Sequence, residues 1–167
     1  MFAARSSAEV ELLAGDASTA ESELRLALQM ASEMNERDVA AGCAARLARL
    51  VSVPGRGEEA DELATMSAEL VPSEHRPDQA LVLAARAAVR ALARDNNTAE
   101  ELLRQAIQLV PVEMLNLRAD LLADLAAVLG HSAHPAEAAP TQLEAIETYE
   151  RKGNLAAAAN AARPARC

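Results

Sequence analysis

The stretch GDASTAESELRLAL, residues 15–28, returns in altered form as GRGEEADELATMSA at 55–68 and as RDNNTAEELLRQAI at 94–107. Each version opens on turn residues, passes through a polar segment and then sets small and aliphatic residues at helical intervals. Aligned on Ala20, Ala60, Ala99 and Ala138, the copies follow one another in steps of 40, 39 and 39 residues. The same register joins Ala8, Ala48, Ala87 and Ala126, then Ala27, Ser67, Ala106 and Ala145, then Val10, Leu50, Val89 and Val128. A unit of this length is a helical hairpin, which buries its apolar face only by stacking on its neighbours.

The composition points the same way. The 167 residues are 51% hydrophobic and 25% charged, enough for one domain with its own core, yet only Phe2 and Tyr149 are aromatic. A core without rings is filled by Ala, Leu and Val, and small side chains fill space when helix backbones approach closely. Strand-forming runs are missing while helix formers abound. The net charge of -9 opposes phosphate backbones, so nucleic acid is not an expected partner. Cys43 and Cys167 are far apart, which argues against a structural disulfide and fits a reducing cytoplasm. Glu9 and Glu11 interrupt the N-terminal apolar residues, so neither a signal peptide nor a membrane anchor is expected.

Turn residues fall between the two helices of every copy: Gly15-Asp16, Pro54-Gly55-Arg56-Gly57, Asp95-Asn96-Asn97 and His134-Pro135. STAE at 18–21 and TAEE at 98–101 suit capped helix starts, with Ser18 or Thr98 bonding backbone N–H groups. Pro72, Pro77 and Pro111 break helices between copies, and Pro140 is expected to remove one backbone bond from the eighth helix and kink it unless that helix begins later. The pattern predicts nine helices, near 2–14, 17–33, 37–53, 58–70, 78–93, 98–109, 113–130, 136–151 and 154–162.

A small residue in the first helix, Gly-Asp at the turn, then Ala, a large residue and Ala again: GDASTAESELRLAL resembles the tetratricopeptide (TPR) repeat. The resemblance implies an all-α fold, a right-handed α-α superhelix of about four hairpins plus a C-terminal helix. Residues 1–167 then form a single domain with repeats near 1–34, 37–71, 78–110 and 113–151 and a terminal helix at 154–162. The period exceeds the family's usual ~34 residues, and Ala4, Ala44, Leu83 and Leu122 stand where the family often has Trp. NLRADLLADLAAVLG and EAIETYERKGNLAAAANAAR are similar to the C-terminal repeats of large bacterial signalling ATPases, cyclase-like proteins and transcription regulators.

Function follows as an expectation: a non-catalytic scaffold or adaptor for a protein or peptide partner, with self-association as a homodimer a further option. The alternatives are the regulatory arm of such a signalling protein and a small-molecule-binding helical repeat. In ALVLAARAAVRALAR the arginines Arg86, Arg90 and Arg94 recur every fourth residue. They form a candidate partner-binding stripe, extended by Arg46 and Arg49 from the copy before. The competing reading is one solvated helix edge, neutralised by acids such as Glu100 and Glu101. The residues flanking the stripe are alanines, so the carboxylate clamp of TPR grooves does not carry over. No catalytic, cofactor or metal site is expected. PGRGEE lacks the Lys-Ser/Thr ending of a phosphate loop, His131 and His134 lack a third ligand, and Glu58-Glu59 and Glu100-Glu101 are adjacent acids that suit helix starts.

Overall fold

A computed structural model describes residues 17–72 and 74–163, whose regular structure is helical, with no strand among the described residues. Eight α-helices follow one another: α1 (Ala17–Glu33), α2 (Arg37–Val51), α3 (Gly57–Leu70), α4 (Arg76–Leu92), α5 (Asn96–Leu109), α6 (Leu115–Leu129), α7 (Ala138–Lys152) and α8 (Leu155–Ala161). A 3-10 turn, Pro135–Glu137, precedes α7. The expected helix at 2–14, with Ala4, Ala8 and Val10, lies outside the described residues, as does Cys167.

Consecutive helices pack as hairpins, and α2 and α4, the first helices of two successive copies, also lie side by side. The contacts between α4 and α6 are marginal. Alanine is what permits this closeness. Ala20, Ala60, Ala99, Ala27, Ala106, Ala145 and Ala48 are each 0% exposed, and Ser67 at the same register is equally buried, its hydroxyl donating to the Ala64 carbonyl at 2.8 Å. Leu24, Leu47, Leu103, Leu121 and Leu129 fill what remains. One cluster runs from Leu24 through Leu47, Val51 and Leu63 to Leu81. A second joins Leu103 and Val110 of the third copy to Leu121, Leu125 and Leu129 of α6.

Helix starts keep the period: α2, α4 and α6 begin at Arg37, Arg76 and Leu115. The arginines that open α2 and α4 repeat one task, donating to a carbonyl at the C-terminus of the following helix, Arg37 to Glu69 O at 2.9 Å and Arg76 to Gln108 O at 3.5 Å. A cation there also faces the negative end of that helix. Left-handed residues close three helices, Asn35 (φ 56°), Arg94 (φ 64°) and Gly153 (φ 79°). Each lets the next N–H reach back into the last turn, as from Asp95 to Arg90 O at 2.9 Å.

Several expected boundaries shift for local reasons. The α5 helix begins at Asn96, because Asp95 and not Thr98 is the cap, its carboxylate accepting from the Thr98 N–H at 3.4 Å. Pro77 lies in the first turn of α4 and does not break it, and α7 begins at Ala138, later than the expected 136, which leaves Pro140 in a first turn where a missing N–H has no intrahelical partner to lose. Gln142, at a position where the repeat has Leu24 and Leu103, donates to the Ala161 carbonyl at 2.6 Å and ties α8 down. Among the described residues no helix is long and apolar enough to cross a membrane.

Candidate functional site

The second helices of successive copies, α1, α3, α5 and α7, are separated by seams. Two of the three seams are fastened by the same ionic device. Between α1 and α3, Arg56 holds Glu21 through two bonds of 2.7 Å and Glu59 through one of 2.8 Å. Arg25, itself 2.8 Å from Glu21, pairs with Glu59 across the seam. Between α5 and α7, Arg104 bonds Glu100 at 2.9 Å and Glu137 at 2.7 Å, while His134 Nδ1 lies 3.0 Å from Glu100. In register, Glu100, Arg104, His134 and Glu137 are the counterparts of Glu21, Arg25, Arg56 and Glu59.

The electrostatics follow the geometry. Arg56 first and then Arg25 hold the Glu21 carboxyl down at about 2. Burial by itself would raise Glu100, but hydrogen bonds from Ser132, His134 and Arg104 outweigh it and leave that carboxyl at about 2 as well.

Beneath each fastened seam the first helix buries an aliphatic pair: Leu47 and Val51 of α2 under one, Leu125 and Leu129 of α6 under the other, none more than 4% exposed. The middle seam, between α3 and α5, differs at every one of these positions. The four ionic positions read Asp61, Thr65, Asp95 and Thr98, which set acid against acid and supply no base. The aliphatic pair is replaced by Arg86 and Arg90 of α4, both exposed. Among the described residues neither arginine makes an ion pair, and Glu100, an expected neutralising partner, is taken by Arg104 and His134. A shallow hollow opens at one end of this seam, lined by Ala68, Val71, Gln79, Val82, Leu83, Arg86 and Leu109. A second lies at the other end of α4, lined by Pro54, Gly55, Gly57, Ala91, Leu92 and Arg94.

No protein-family model matches this chain, and neither does any curated protein sequence.

The five expected arginines therefore do not form one stripe. Arg86 lines the hollow of the open seam and Arg90 is exposed one turn further along α4, whereas Arg94 is carried past the end of α4 in the left-handed turn and borders the second hollow. Arg46 folds back along α2, its Nη1 donating to the Gly42 carbonyl at 3.1 Å. Arg49 reaches across to α6 and pairs with Asp124, whose charge raises the guanidinium pKa further. Asp120, one turn earlier on α6, accepts from the Tyr149 hydroxyl at 2.5 Å. Burial and then the Asp120 carboxylate push that phenol well above its ordinary range.

This Arg49, Asp124, Asp120 and Tyr149 group was missed in the sequence, although two acids at i and i+4 among the leucines and alanines of α6 were the available signal. Its members are committed to one another and bind helices of the same chain. Cys43 is fully buried in α2. Among the described residues no group of three His, Cys, Asp or Glu side chains is placed to hold a metal.

Proposed function

We propose that this chain is a non-catalytic protein-interaction module of the tetratricopeptide type, its hairpins stacked as a right-handed superhelix, and that it takes its partner at the open α3/α5 seam. One observation carries the reading. In a register that buries Leu47 and Val51, and again Leu125 and Leu129, the middle copy alone exposes Arg86 and Arg90, and Arg86 lines a shallow hollow of mixed polar and apolar walls. Exchanging a buried aliphatic pair for two exposed cations forfeits burial of roughly 1.5–3 kcal/mol per side chain. Among the described residues no ion pair of Arg86 or Arg90 offsets that loss, and exposed cations left without an ion pair beside a surface hollow are what supports the reading.

The test is site-specific photocrosslinking in cell lysate, with a photoreactive residue at Leu83 in the seam or at Leu143 on α7, which is 56% exposed and remote from the seam in the fold. Expected is one adduct, identified by mass spectrometry, from Leu83 and not from Leu143. Equal labelling from both positions, or none from either, removes the proposal.

A further inference from the structure

We infer that the occupant of the open seam is an acidic amphipathic helix of another protein; this rests on the interaction reading above. Arg86 and Arg90 are exposed on one face of α4, a single turn apart, a rise of about 6 Å along the axis. Carboxylates at i and i+4 of a partner helix repeat at that same rise, so two ion pairs form together when the helices align. The hollow beside Arg86, walled by Ala68, Val71, Val82, Leu83 and Leu109, receives aliphatic side chains from the same partner face.

The fastened seams show what this register accepts. There, aliphatic packing beneath and acid-to-base pairing above join one helix to the next. At α3/α5 the ionic positions hold Asp61 and Asp95 with no base, the exposed bases are Arg86 and Arg90 of α4, and an incoming helix brings carboxylates to those two arginines. The walls of the seam are helices and the described residues include no sheet edge, which selects helix-in-groove docking over strand addition.

The experiment uses a fluorescein-labelled peptide of about fifteen residues, long enough to be appreciably helical, built of Ala and Leu with Glu pairs at i and i+4 along one edge. A twin carries Gln in place of Glu. Fluorescence anisotropy should show the Glu peptide binding the intact chain, weakening with salt, and losing roughly tenfold or more in affinity against the R86Q/R90Q variant. Circular dichroism of that variant should match the parent, because both side chains are exposed.

Equal binding of the two peptides, equal binding to parent and variant, or no binding at all overturns the inference. A self-association that R86Q/R90Q abolishes assigns the seam to a second copy and overturns it too. A Leu83-specific adduct obtained without any preference for Glu leaves the interaction module standing and removes only the acidic helix. Failure of the adduct removes both.

Discussion

Replacing Glu100 by Gln isolates the α5/α7 tie. The carboxylate is 7% exposed, accepts from Arg104 at 2.9 Å and stands 3.0 Å from His134. Gln keeps the shape but removes the charge and turns part of the group into a donor facing a guanidinium. Hydrogen bonds to charged groups contribute ~1.5–3 kcal/mol, and the exposure of Arg104 and His134 to solvent argues for the lower half, so E100Q should cost about 2 kcal/mol at neutral pH.

The pH dependence is the sharper signature. The folded carboxyl is held at about 2 against an ordinary 4.5, so the unfolded chain takes up the proton first on acidification. The contribution is therefore complete above pH 4.5 and is lost as pH falls toward 2. Urea unfolding followed by far-ultraviolet circular dichroism should show parent and variant separated by a constant gap from neutral pH down to about 4.5, closing below it. Equal stabilities at neutral pH, or a gap that persists unchanged into acid, would refute the assignment. E21Q, at the more exposed counterpart, should show the same shape with a smaller amplitude.

Ala99 is 0% exposed at a helix crossing, so Ala99→Phe should cost roughly 1–3 kcal/mol or more through overpacking; an unchanged melting temperature would contradict the register. Arg94 holds φ 64°, so Arg94→Gly should leave stability equal or raise it by up to ~1 kcal/mol, while Arg94→Val lowers it, as read by thermal melts. Tyr149 is the sole tyrosine and its phenol is raised by burial and by Asp120. Phenolate absorbance should thus fail to develop through the ordinary range near 10 and rise only as alkali unfolds the chain; a reversible transition near 10 in folded protein would contradict that placement.

The helical hairpins were legible because their determinants are local and repeated. Alanines at steps of 40, 39 and 39 residues give the period, and Ala20, Ala60 and Ala99 are fully buried, whereas the fourth, Ala138, is half-buried. The edges of helices were less legible where two capping residues compete, as Asp95 and Thr98 do. Polar pairing was the least legible, since it joins residues distant in the chain: Arg49 and Asp124 are 75 apart, His134 and Glu100 are 34 apart. The basic stripe was visible as spacing along α4, but its meaning lay across the copies, in the columns Leu47, Arg86, Leu125 and Val51, Arg90, Leu129.

The two ionic ties also define a construction rule. Glu21 and Glu100 stand 79 residues apart, as do Arg25 and Arg104, so the tie recurs two hairpins further on, with one open seam between. Two hairpins make the segment, or tile, that carries one fastened and one open seam. Splicing in a whole tile would preserve the alternation and add a second open face. Splicing in a single hairpin would abut unlike edges, setting Asp61 and Thr65 against a neighbour shaped to receive Glu and Arg.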